Sequence, residues 1–130
     1  MSNEITVRAS IAVAGGPTRS IHEALTLQAY DVVQVPVDAG ATRNVEVQPD
    51  DGAQLRLLLI TASAYARELT YRVGPADDAP ELRLDQPLLL LGESATALLG
   101  AAPTSMSFTN GTDEDVLVHI VVGRDAVQDQ

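Results

Sequence analysis

The chain has 130 residues, no cysteine and a net charge of −10. This length suits one domain, residues 1–130, with room for a hydrophobic core without staples, and the missing cysteine excludes disulfides, thiolate catalysis and cysteine-ligated zinc. The basic residues are all arginine and form no stripe, so neither nucleic acid nor an anionic membrane is an expected partner, because both need clustered cations.

The opening "MSNEITVRAS" is polar and acidic, with no basic n-region and no apolar h-region, and so does not read as a secretory signal. The expectation is synthesis and retention in the cytoplasm, unless the protein leaves within an assembly. Within "EITVRASIAVA", Ile5, Val7, Ala9, Ile11 and Val13 share one face of a strand, and Gly15–Pro17 stops it. "ALTLQAY" alternates at Leu25 and Leu27, and "DVVQVPV" at Val33, Val35 and Val37. Pro36 lies inside that second strand and cannot donate to a ladder, which points to an edge or a bulge. "TRNVEVQ" ends at "PDDG", and "QLRLLLIT" reads as a buried strand with Leu55, Leu57 and Leu59 inward and Leu58 and Ile60 covered too. "ELTYRV" runs to "GPADDAP", and "ELRL", "PLLLL" and "SMSFT" are shorter strands. "TASAYARE" and "ESATALLG" read as connections of about one or two helical turns. The close, Ser105–Ala126, reads as a β-hairpin with an acidic Asn-Gly turn and a core face of Val116, Val118, Ile120 and Val122. Residues 126–130 read as a frayed tail. Together these segments predict an all-β fold, a single-domain β-sandwich or jelly-roll-like barrel of about 8–10 short antiparallel strands. The longest apolar runs, "LLLI" and "PLLLLG", are too short to span a bilayer.

The residues that could carry chemistry are few. His22 and His119 lie far apart in sequence and neither has a His-x-His neighbour, so no metal site is expected from them. His119 falls on the second face of the last strand, with Leu117 and Val121, where it suits a subunit contact. The acidic pairs Asp50–Asp51 and Asp77–Asp78 and the cluster Asp113–Asp115 sit beside turn residues and match no calcium-loop spacing, so they read as solvating acids. There is no Gly-x-Ser-x-Gly elbow and no phosphate-binding glycine loop. Aromatic residues are too scarce for sugar or base stacking platforms. No catalytic, cofactor-binding or metal residue is assigned, no cofactor is expected, and the protein is not expected to be an enzyme. What remains is strand surface. "RLLLITASAY" and "PLLLLGESATALLG" are more apolar than a one-sided sheet needs, which marks an interface.

The opening "EITVRASIAVAGGPTRSIHEALTLQAYDVV" and the close "SFTNGTDEDVLVHIVVGRDA" resemble, in pattern, the ends of small β-rich virion proteins of tailed bacteriophages. Those proteins begin with alternating Ile/Val/Ser-Thr strands and a glycine-containing turn, and end on a Val-rich strand after an Asn turn. The resemblance implies a non-enzymatic, symmetric assembly component, such as a capsid decoration protein or a tail or neck part, found finally at the virion or particle surface. It implies no site residues. The expected partners are other copies, as a trimer or larger, and other particle proteins. The interface residues singled out are Pro36, Leu117, His119 and Val121. The alternative expectation is a ligand- or metal-binding β module, cupin-like or lectin-like.

Overall fold

The computed structural model describes residues 3–27, 29–46, 54–73, 81–92, 95 and 105–125. They form ten strands. These are β1 (Asn3–Ala12), β2 (Thr18–Leu27), β3 (Ala29–Val37), β4 (Thr42–Glu46), β5 (Gln54–Ala62), β6 (Leu69–Val73), β7 (Leu82–Arg83), β8 (Leu88–Leu91), β9 (Ser105–Asn110) and β10 (Val116–Asp125). Val, Ile, Leu and Thr alternate along most of them, the pattern that suits a pleated, half-buried surface. The molecule is all-β, with antiparallel pairing throughout these sheets. Among the described residues no helix is long and apolar enough to cross a membrane.

Two four-stranded sheets carry the core, in the orders β3-β10-β5-β8 and β4-β9-β6-β7. The pairing is nested. The first strand of this body, β3, pairs with the last, β10; inside them β4 pairs with β9, β5 with β8 and β6 with β7. Successive pairs alternate between the sheets, so the chain is one long antiparallel ribbon wound on itself. Side chains from both sheets meet in a single buried cluster that includes Val35, Ile60, Leu69, Met106, Val118 and Ile120. At its centre the one phenylalanine, Phe108, stacks on its cross-strand partner Tyr71, ring centroids 5.9 Å apart. Burial pushes the Tyr71 phenol above its ordinary pKa.

Pro36 lies on β3, an edge strand of its sheet. The lost ladder donor is therefore tolerated there.

The segment Ser105–Gly123 corrects the hairpin expectation. β9 pairs with β4 and β6, whereas β10 pairs with β3 and β5, so the acidic turn is a corner that crosses from one sheet to the other. Asn110 builds it. Its side chain is fully buried, donates to the carbonyls of Val37 (3.0 Å) and Glu114 (2.7 Å), and accepts from the Thr112 amide and hydroxyl. Gly111 does not adopt a positive φ. A Cβ there would lie 3.0 Å from the Glu68 carbonyl oxygen, which accepts from the Gly111 amide. Glycine is needed for close backbone approach, not for a hairpin turn. Ser63–Glu68 connects β5 to β6 without a helix. The pairs Asp50–Asp51 and Asp77–Asp78, most of "ESATALLG" and the tail 126–130 lie outside the described residues.

β1 and β2 form a separate two-stranded sheet. Here β2 starts at Thr18, six positions before the "ALTLQAY" segment suggests, and pairs with β1 along its whole length. One side of this hairpin carries Ile5, Val7, Ala9 and Ile11 opposite Leu25, Glu23, Ile21 and Arg19. The other side is polar, with Thr6, Arg8 and Ser10 opposite Ala24, His22 and Ser20. The alternating apolar face read from the sequence is present, yet it does not join the core cluster.

Candidate functional site

The outward faces of the two large sheets differ in chemistry. On β10 the residues Leu117, His119 and Val121 alternate with the buried Val116, Val118 and Ile120 and point away from the core. The register places Pro36 directly across from Leu117, and Gln34 and Thr61 on either side of His119. Val121 sits in a continuous apolar row across the sheet, Val32–Val121–Leu59–Leu89. The next row outward is Tyr30–Gly123–Leu57–Leu91. Val32 is 60% exposed and Tyr30 50%. On the opposite sheet the corresponding rows are Thr42–Thr109–Thr70 and Asn44–Ser107–Arg72. The Thr42 and Thr109 hydroxyls are 3.0 Å apart and hydrogen-bonded.

The four interface residues read from the sequence thus fall on one face of one sheet, as two cross-strand neighbours (Pro36, Leu117) and two further positions along β10. Sequence reasoning did not single out Val32; it marked the segments that hold Leu59 and Leu89 as interface surface but read Leu57 and Leu59 as inward, whereas Leu58 and Ile60 enter the core and Leu57 and Leu59 lie on the outward face. The signal was present as doubled apolar positions, Val32-Val33 and Leu58-Leu59, which strict alternation does not need.

One end of this face is already covered by the chain itself. Leu27, the last residue of β2, is fully buried. A Cβ built on Gly123 would come within 2.4 Å of the Leu27 Cδ1 and 3.2 Å of the Leu57 Cβ. Leu27 and Leu57 are buried but stand outside the central core cluster. Glycine at position 123 therefore makes the space in which the foot of the hairpin rests against the sheet.

The acidic corner is the other place with shape. A pocket of about 300 Å³ lies between the β5–β6 connection and the corner, lined by Tyr65, Ala66, Leu69, Thr112, Asp113 and Glu114 among others. Asp113 and Glu114 are exposed. Asp115 has a structural role: its Oδ1 accepts from the Ala39 amide at 2.9 Å and ties the β3–β4 turn to the corner. His22 stands on the polar side of the β1–β2 hairpin opposite Arg8, and His119 stands between Gln34 and Thr61, so the ladders bring neither to a carboxylate. Among the described residues no group of three or more His, Asp or Glu is arranged to hold a metal ion.

Comparisons with protein families, with curated proteins and with solved structures found no match.

Proposed function

We propose that this protein is a non-enzymatic structural component of a phage or phage-like particle, a capsid decoration protein or a tail or neck part, that self-associates through an apolar strand face. The observation that carries the reading is the contrast between the outward faces: Val32, Val121, Leu59 and Leu89 on one sheet, Thr and Ser on the other. A sheet face that faced only water would alternate to polar residues, as the second sheet does. Within the apolar face Val32 is exposed and Val121, Leu59 and Leu89 are half-buried, and a contiguous solvent-accessible apolar patch marks an interaction site. The nested antiparallel pairing is compatible with the proposed jelly roll, an architecture that viral capsid domains share with lectins and cupins. On this reading the acidic loops face solvent and keep assembled particles apart. The predicted state is a trimer or larger, made in the cytoplasm and carried on the particle surface. Light scattering of the purified chain tests it: a multimer is expected, and a monomer throughout the accessible concentration range refutes self-association. Negative-stain imaging of the native particle then tests the setting.

The pocket beside Tyr65, Asp113 and Glu114 favours one alternative, a ligand- or metal-binding β module. Elemental analysis of the purified protein separates the two: a stoichiometric metal lost in Asp113→Asn with Glu114→Gln would support the alternative.

A further inference from the structure

The β1–β2 hairpin exposes apolar side chains toward its tip, on the side that also carries Arg19 and Glu23, while Ile5, Val7, Ala9 and Leu25 on that side are half-buried. Ile11 is 71% exposed, Val13 57% and Ile21 45%. A two-stranded hairpin alone in water is marginally stable, so an arm of this length with one mainly apolar side, interrupted by Arg19 and Glu23, needs a surface to lie on. Its contact with the sandwich is at its foot, where β2 meets β10.

We propose that each copy of this chain lays the apolar side of its β1–β2 arm on the outward face of the β3-β10-β5-β8 sheet of a second copy, giving one arm and receiving one. This rests on the reading of the protein as self-associating, and it names the contact.

The first reason is charge. Residues 3–27 carry Arg8 and Arg19 against Glu4 and Glu23, a net of zero with histidine neutral, so the full net charge of −10 resides in the rest of the chain. Two sandwiches repel each other, but the neutral arm approaches a second acidic sandwich without that penalty. The second reason is continuity. Leu27 already seals against Gly123 and Leu57 within the chain, and the row through exposed Val32 and half-buried Val121 and Leu59 adjoins that seal. The arm and the sheet are thus already complementary where they touch. The third reason is size. A ten-residue hairpin is about 33 Å long and about 10 Å wide, narrower than a four-stranded sheet, which measures about 15–19 Å across. One such contact covers less than the roughly 800 Å² that each partner gives in a stable interface. An exchange in which every copy both gives and receives an arm doubles the area per copy, and if the rotation between copies closes, the result is a ring.

The chain has no cysteine, so introduced thiols report without background. Ile21→Cys and Val32→Cys chains, carrying tags of different length, would be co-expressed and treated with a short bis-maleimide. A cross-linked band joining the two different chains is expected to dominate. Cross-links confined to Ile21–Ile21 or Val32–Val32 pairs overturn the proposal. In parallel, light scattering would compare the unmodified chain with Ile11→Asp/Ile21→Asp on the arm and Val32→Asp on the sheet, each checked for folding by circular dichroism. The expected result is a multimer whose association weakens at least tenfold in both variants while the β signal persists. A multimer unaffected by both variants refutes the arm contact and leaves self-association standing. An unmodified chain that is monomeric at high concentration refutes both. Co-sedimentation of the unmodified chain with lipid vesicles that is lost in Ile11→Asp/Ile21→Asp would assign the arm to a membrane and overturn the proposal.

Discussion

The two large sheets have similar insides and different outsides. Inward, both contribute apolar residues to one cluster, Val, Leu and Ile from β3-β10-β5-β8 and Val, Leu, Met and aromatic residues from β4-β9-β6-β7. Outward, the β4-β9-β6-β7 sheet shows Thr42, Thr109, Thr70, Asn44 and Ser107, whereas the β3-β10-β5-β8 sheet shows Val32, Val121, Leu59 and Leu89. Burial in the core cannot explain the second set, because those side chains lie on the far side of the backbone from it. The difference is why the β3-β10-β5-β8 face is the one proposed for self-association. The polar outward face of the β4-β9-β6-β7 sheet serves as the internal control for experiments on the first.

The corner between the sheets sets which residues face out, so breaking it should have the largest effect on stability. Asn110→Ala strands the Val37 and Glu114 carbonyls that its amide now satisfies, and is expected to destabilise the fold by about 2–4 kcal/mol. Denaturant unfolding reads this, and a loss below about 0.5 kcal/mol would show that the corner is not held by this side chain. Gly111→Ala should follow, at about 1–3 kcal/mol, because the new Cβ meets backbone oxygen of Glu68 rather than a side chain that can move.

The contrast between outward faces is tested by a matched pair. Val121→Asp on the apolar face and Ser107→Asp on the polar face are both outside the core, so each should shift the stability of the isolated subunit by no more than about 0.5–1 kcal/mol. Only Val121→Asp should lower the mass seen by light scattering. Equal effects of the two would erase the distinction between the faces.

The smallest expected effect concerns pH. Burial raises the Tyr71 phenol above its ordinary value of 10.0. The unfolded chain therefore ionises first as pH rises, and stability should be constant below pH 10 with respect to this group and fall above it. Tyr71→Phe should remove that part of the fall between pH 9 and 11, measured by urea midpoints. An unchanged slope would mean that the phenol is not buried against the core.

Much of the fold was legible in the alternation. "DVLVHIVV" and "DVVQVPV" place their core residues correctly, and of the two settings Pro36 allowed, an edge or a bulge, the structure has the edge. The Asn-Gly pair misled, because the same dipeptide that favours a two-residue hairpin turn also suits a buried asparagine that ties a corner, with a glycine that lets two backbones approach. Local turn chemistry does not reveal whether the next strand returns to the same sheet. The face of "EITVRASIAVA" was legible as apolar, but not as standing outside the core.

By itself the sequence determined that the chain is all-β, which residues share a face along strands that alternate strictly, such as β3 and β10, and that its charge is acidic without a basic stripe; in the all-apolar run of β5 it put Leu57 and Leu59 on the wrong face. These follow from the two-residue period of a strand and from composition, both of which are local. Only the tertiary structure decided that β9 and β10 belong to opposite sheets, that the first two strands leave the sandwich as an arm, and that Val32, Leu59 and Leu89 join Val121 in one row. The physical reason is that a strand's partners come from distant parts of the chain, and register with them, not alternation within the strand, builds a surface.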